Sequence, residues 1–368
     1  MNGLLFSTIN TDTLRENLQA LRAQAETPII AVVKHDAYSH GAAECARAIS
    51  GHTAAFAVST LHEARALLDE GITDDIMVLD PVCPGELCKK SCGIILPADS
   101  PEILSALANI YMSNPLRVQL RLDLTGSGIG MPRARLGEAL DVFDRFPDLL
   151  LYGVFAHVPS LYRSVDVREI AAQFREVGAA VKARRPGALL HIATSASYRY
   201  KALRFDACRI GTALYGLPSR EGQQIEPLRP VLSLSAPLTR ILSGRESLSF
   251  YDRCVSAALI DRAGLVSAGY GHLPALCYAR GLRVLVRGRS VPVVGSPCMG
   301  HLLVDLTGVP DARTGDEAVF VGRSGDRALS AEDLAKKCGV PSCRCDGVLF
   351  TGAGARRIYI ARGNCIVS

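Results

Sequence analysis

Apolar and polar positions fall into two regimes along the chain. In the first, short uninterrupted apolar runs alternate with stretches whose apolar residues recur every three or four positions. IIAVV (29–33) opens the series. AFAVS (55–59), DIMVLD (75–80), GIILPA (93–98), VQLRLD (118–123), LYGVFAH (151–157), LLHIATS (189–195) and ACRIGTAL (207–214) follow. Continuous apolar runs suit strands covered on both faces, as in a parallel sheet flanked by helices. The stretches between them read as helices. In TLHEARALLDEG, Leu61, Ala64, Leu67 and Leu68 keep helical spacing and Gly71 stops the pattern. Eight strands with crossovers in about 215 residues predict an α/β fold, a (β/α)8 barrel. A doubly wound open sheet is the alternative, but no GxGxxG follows the first strand.

Near residue 226 the pattern changes. Strand candidates now succeed each other through short turns, at 231–242, 254–260, 282–287, 290–295, 301–307, 317–321, 347–351 and 357–361. One short helix is expected at 331–337, with Ser330 as N-cap and Asp333 three residues on. This predicts a mainly antiparallel β domain. The expected division is a barrel over 10–226 and a β domain over 227–368, with residues 1–9 packing on the latter.

Composition narrows the function. The 368 residues are 48% hydrophobic, so a large core is available, and 41 basic against 36 acidic residues leave a net charge of +5. That balance argues against nucleic acid or an anionic membrane as partner. The opening MNGLLFSTIN lacks the basic region of a signal peptide, and no apolar stretch is long enough to span a bilayer. A soluble cytoplasmic protein is expected. The twelve cysteines are scattered. Neither Cys83, Cys88 and Cys92 nor Cys338, Cys343 and Cys345 contain a CxxC pair or a nearby histidine, so they read as reduced thiols and not as a zinc site.

In a barrel of this kind the reactive groups lie at the carboxyl ends of the strands. Lys34 and Tyr38 follow the first strand and Ser59 the second. Asp123 ends the fifth, His157 the sixth, and Thr194 with Ser195 the seventh. The eighth carries Arg209-Ile210-Gly211-Thr212. Lys34 has no polar residue before it, and an amine at the end of a buried strand is poorly hydrated, which favours a nucleophile or Schiff-base former. Read alone, it is more simply the start of a surface loop, since most strands end in polar loops. The turns ATSAS and RIGTA are rich in small residues, so backbone N–H groups can approach an anion such as phosphate. No cluster supplies metal ligands and no GxSxG is present. A lysine with a phosphate cradle points to pyridoxal phosphate.

AVVKHDAYSHG resembles the cofactor-lysine motif of the alanine racemase family, usually close to AVVKANAYGHG. Further segments agree in order. GVFAHVPS is similar to the family's histidine-ended barrel strand, HIATSAS to H-x-A-N-S-A, and RIGTALYG to R-x-G-I-x-L-Y-G. SAGYGHLP falls where the family has I-G-Y-A-D-G, and VVGSPCMGHLLVDLTG where it has G-R-V-C-M-D-x-x-x-V-D-x-T. The resemblance implies a barrel plus β domain that racemises a small-molecule amino acid with pyridoxal 5'-phosphate. It implies a homodimer with shared active sites. Lys34 would carry the Schiff base. Tyr38, Ser195, Gly211 and Thr212 would hold the phosphate, Arg209 would face the pyridine nitrogen, and His157 would lie beside the ring. Tyr270, from a second subunit, would oppose Lys34 as the other base. Arg133 and Met299 would contact substrate.

The departures lie at the substrate end. Thr194 replaces an asparagine, Gly300 an acid, and Ala353 a phosphate-binding tyrosine. Gly271-His272-Leu273 stands for A-D-G. RLDLTGSGIGMPRARLG is longer than the family's K-x-D-T-G-M-x-R-L-G, so either Ile129 or Arg133 falls at its arginine, with Arg133 favoured. Arg121 replaces a lysine that is often carbamylated. These changes enlarge and neutralise the mouth of the site, so the expected substrate is alanine or a larger amino acid, the larger racemised at least as well. A decarboxylase of the same architecture and a non-catalytic cofactor-binding protein are the alternatives; the presence of Tyr270 argues against the first.

Overall fold

The structure, a computed structural model, describes residues 5–87, 93–110, 115–158, 166–243, 248–250, 253–255, 260–352, 355–361 and 364–367. The chain divides into two compact units. One comprises Asn17–Ala37 and Gly41–Leu214; the other comprises Met1–Glu16, Tyr38–His40 and Tyr215–Ser368. The first strand, β1 (Phe6–Asn10), belongs to the second unit.

The first unit alternates strand and helix. Its elements run α1 (Thr11–Ala25), β2 (Ile29–Val32), α2 (Lys34–Ser39), α3 (Ala42–Ile49), β3 (Ala55–Val58), α4 (Leu61–Asp69), β4 (Ile76–Val78) and β5 (Ile94–Ala98). Then come α5 (Pro101–Ala108), β6 (Leu116–Asp123), β7 (Met131–Pro132), α6 (Leu136–Arg145), β8 (Leu149–Ala156), α7 (Val167–Arg184), β9 (Leu189–Thr194) and β10 (Ala207–Ile210). The strands pair in the order β5-β4-β3-β2-β10-β9-β8-β6, and β5 pairs back onto β6. All these ladders are parallel, so eight strands close a barrel and the open-sheet alternative is excluded. The two-residue β7 is an addition beside β6. The continuous apolar runs have the predicted cause: every residue of β2, β3, β4 and β5 is buried. The helices start on local signals. Thr60 and Glu63 form a capping box on α4, and Ser100 caps α5 with Pro101 in its first turn. Leu61, Ala64 and Leu67 form the buried face of α4, and each leucine contributes about 2 kcal/mol by leaving water.

The second unit is built on β11 (Leu232–Ser243), β12 (Leu248–Phe250), β13 (Arg253–Val255), β14 (Arg262–Val266), β15 (Arg283–Val286), β16 (Arg289–Val294), β17 (Leu302–Asp305), β18 (Glu317–Ser324), β19 (Arg327–Leu329), α8 (Ala331–Lys337), β20 (Arg356–Ala361) and β21 (Asn364–Val367). β11, β14, β17, β16, β15 and β18 form an antiparallel ring closed by β18 on β11. β1 joins β11 antiparallel and β20 parallel. α8 starts at Ser330 with a capping box to Asp333, as the sequence predicts.

Two expectations need correction, and one strand was not expected. Residues 347–351 form no strand, because Ser342–Val348 winds into 3-10 turns after Pro341 and buries Val348 and Leu349 without a strand partner. The strand expected at 254–260 is, where described, only the short β13 paired with β12. The strand that continues the ring lies further on, at β14. It was obscured by Arg262 and by Gly264, where a Cβ would stand 2.7 Å from Leu306 Cδ1 and 2.8 Å from Leu238 Cδ2. Glycine is there to admit neighbouring leucines, not to end a strand.

Candidate active site

Lys34 follows β2 after the single residue Val33 and is half-buried. The chain then does something rare. His35, Asp36, Ala37, Tyr38 and Ser39 all have positive φ, between 50 and 69°, so α2 winds left-handed. Each L residue in this conformation costs about 1–2 kcal/mol. Specific bonds offset that cost. Glu63 Oε1 accepts from His35 N (2.6 Å), while its Oε2 accepts from Ser59 N and Thr60 N (2.8 and 3.1 Å). Asp36 Oδ1 accepts from Ala42 N (2.8 Å), and Ala37 N donates to Val33 O (2.9 Å). One carboxylate thus ties the turn after Lys34 to the start of α4.

A polar layer crosses the inside of the barrel. Arg121 on β6 is in register with Phe155 on β8, and Phe155 with His191 on β9, so the three side chains share one face. Phe155 stacks on His191 (centroids 5.4 Å, 7° between planes), and Arg209 lies over the Phe155 ring at 5.0 Å. Arg209 is 4% exposed. Its Nη2 donates to Ala156 O (3.1 Å), and its Nη1 sits 2.9 Å from His191 Nδ1. An arginine can only donate, so His191 Nδ1 accepts and the ring proton is on Nε2. That buried Nε2 has no hydrogen-bond partner among the described residues. Burial, then the Arg209 charge, drives the His191 pKa well below the usual histidine range. His157, just beyond β8, has an open face yet is densely packed on the other. That packing and the charges of Arg209, Lys34 and Arg121 push its pKa down to about 4, against a smaller opposing effect of Asp80. Both rings are neutral near pH 7.

The ATSAS and RIGTA turns meet. Ser195 Oγ accepts from Gly211 N (2.9 Å) and Ala213 N (3.3 Å), with Thr212 between them opening a 3-10 turn. Lys34, His157, Ser195, Arg209, Gly211 and Thr212 therefore all lie at the carboxyl ends of β2, β8, β9 and β10.

Arg133 is not brought there. Its guanidinium is 2.6 Å from Glu176 on α7, and both side chains are exposed. Ile129, the other register, is 52% exposed. The reason is the longer loop after β6. Burial would raise the Asp123 pKa, but N–H donors of Thr125, Ser127 and Gly128 hold it below the usual carboxylate range and curl the loop back on itself.

In the second unit, Tyr38 packs against Tyr215 (5.3 Å), which also meets the His40 ring (4.5 Å). Tyr270 is half-buried, and its N donates to Cys298 O (3.0 Å) while Gly271 N donates to Met299 O (2.9 Å). A Cβ on Gly269 would stand 2.1 Å from Cys298 O, so glycine is what lets this loop lie on the 298–299 segment. Met299 is 61% exposed. A Cβ on Gly300 would meet no atom of the described residues within 4 Å. Ala353 lies outside the described residues.

Sequence reasoning gave no role to His191, Glu63 or Arg121. His191 stood in the quoted HIATSAS, and its burial within an apolar run was a usable signal. The contact from Glu63 to His35 crosses 28 residues and had none.

A closed parallel barrel with a lysine, a neutral histidine, a buried arginine and a small-residue turn at one end, together with a separate antiparallel unit, defines a class of pyridoxal-phosphate enzymes. Residues 9–219 match the N-terminal domain of alanine racemase and residues 231–345 the C-terminal domain. The chain belongs to the alanine racemase family, whose members are isomerases that use pyridoxal phosphate. The alanine racemase of Syntrophobacter fumaroxidans is 34% identical over 327 residues, 85% of this chain and 86% of that protein. Among solved structures, the alanine racemase of Bacillus anthracis with bound L-Ala-P superposes with a TM-score of 0.85 at 25% identity, covering 100% of this chain and 98% of that one. That of the D-cycloserine producer Streptomyces lavendulae gives 0.83 at 26%, with 98% of each chain covered. The donor set suits the cofactor: an amine, a buried guanidinium, and a turn whose hydroxyl and amides can face a phosphate.

Proposed function

We propose that the protein interconverts the L and D forms of an amino acid, with Lys34 and Tyr270 exchanging the α-proton on opposite faces. The observation that carries this reading is the convergence of Lys34, neutral His157 and buried Arg209 at one barrel end in a member of this family. Pyridoxal phosphate, when bound through Lys34, makes the α-carbon of a bound amino acid acidic. The chain's own groups do the rest. Lys34 Nζ takes the proton from one face or returns it, and the Tyr270 phenol does so on the other. Ser195, Gly211, Thr212 and Tyr38 would hold the phosphate. Arg209 would face the ring nitrogen, and because a guanidinium keeps its protons, that nitrogen stays without one. Such an arrangement would limit electron withdrawal and would disfavour side reactions such as transamination. His157 would lie against the ring as a neutral imidazole.

We propose a homodimer in which the partner subunit's Tyr270 completes each site. Met299, exposed beside the Tyr270 loop, and Tyr278, 73% exposed, supply apolar surface for a second copy. Nine of the twelve cysteines are seen as free thiols, which suits a reducing cytoplasm. No helix among the described residues is long and apolar enough to cross a membrane. The loss of a side chain at Gly300, where the family carries an acid, favours a substrate larger than alanine, such as serine or a nonstandard amino acid.

The test is chiral analysis of an L-amino-acid panel incubated with cofactor-loaded protein in deuterium oxide. The D enantiomer should accumulate with deuterium at the α-carbon, and an amino acid larger than alanine should react at least as fast as alanine. Release of carbon dioxide without the enantiomer would replace the racemase reading with a decarboxylase.

A further inference from the structure

An amino acid brings a carboxylate into the barrel mouth, and that anion needs a cation with donors to spare. Arg133, which the family resemblance favours, is engaged with Glu176. Three cations act on His157, namely Arg209, Lys34 and Arg121, while Asp80 is the opposing carboxylate. Arg209 is buried and spends its nitrogens on His191 and Ala156. Lys34 is needed for the chemistry itself.

Arg121 remains. Its register with Phe155 puts it on the inner face of the barrel, two residues before the end of β6. The side chain is 11% exposed. Nη1 donates to Leu79 O (3.2 Å) and lies 3.7 Å from Asp80 Oδ1, a carboxylate that is itself half-exposed. Nε is buried and has no hydrogen-bond partner among the described residues. An unmatched buried donor on a cation is costly unless an acceptor arrives. Arg121 also lines a small cleft with Pro81, Val82, Pro97, Asp99 and Ile103, at the carboxyl ends of β4, β5 and β6. A planar guanidinium offers two parallel donors to the two oxygens of a carboxylate, which the lysine common at this position in the family could not do.

We propose that Arg121 binds the α-carboxylate of the substrate, in place of an arginine from the segment after β6. This rests on the reading that the protein acts on a free amino acid. Asp80 and Leu79 O hold the guanidinium in orientation, and the carboxylate takes the donors they leave.

The test compares an amino acid with its amide, which keeps the amine and lacks the carboxylate. Binding to cofactor-loaded protein is followed by calorimetry, and KM and kcat are measured for the acid. Wild type should prefer the acid by about ten- to a hundredfold. Arg121→Gln should erase that preference and raise KM more than it lowers kcat. Arg121→Lys should restore part of it, and Arg133→Gln should leave it unchanged. If Arg121→Gln keeps the preference, if Arg133→Gln loses it, or if wild type does not distinguish acid from amide, the proposal is overturned. Failure of the racemase reading appears separately, as absence of the enantiomer with the wild type.

Discussion

Two histidines stand where a proton is hard to hold. His191 is fully buried against Arg209, and His157 is packed beneath and ringed by Arg209, Lys34 and Arg121. Both have folded pKa values below the unfolded value of 6.5, that of His157 at about 4. Below pH 6.5 the unfolded chain therefore binds more protons than the folded one, and stability falls as pH falls. It is fully present above 6.5 and is lost as the pH drops toward the folded values. The urea midpoint should thus decline between about pH 7 and about pH 5, and His157→Gln should flatten part of that decline. An unchanged slope in the variant would mean that His157 is not held neutral. At this scale, Lys34, His157 and Arg209 were legible because each ends or sits on a strand with a continuous apolar run. Arg133 stands instead in an exposed pair with Glu176, because the loop after β6 is longer than the family motif and register inside a loop is not fixed by periodicity.

The element that departs furthest from sequence expectation is α2. Nothing in KHDAYS announces a left-handed turn, since it holds no glycine, and five L residues there cost of the order of 5–10 kcal/mol. What fixes it lies elsewhere, in Glu63 on α4 and in the bonds through Asp36 to α3. The same lesson applies to β14, where Gly264 and Arg262 hid a strand whose pairing is decided by β11 and β17. The left-handed assignment inverts a common rule. Glycine usually weakens a helix by about 1 kcal/mol, as Arg175→Gly should in the right-handed α7, but at His35 it relieves the conformational cost. His35→Gly should be at least as stable as wild type in denaturant melts. A loss at His35 equal to that at Arg175 would contradict the positive φ.

At the level of the whole molecule, the closed barrel was readable because eight apolar runs at regular spacing leave few topologies. The ring of the second unit was readable only as antiparallel β, since its order β11-β14-β17-β16-β15-β18 depends on contacts far apart in sequence. Lys34 belongs to one compact unit and Tyr270 to the other. The central claim is that these two residues serve one racemising site, and that the tyrosine comes from the partner subunit. The direct measurement mixes Lys34→Ala and Tyr270→Phe protomers, each inactive alone, and assays racemisation by the purified heterodimer. Such a heterodimer contains one site with both native residues, so activity should reappear at about half the wild-type level per dimer. Heterodimers that form but stay as inactive as their parents would contradict the account.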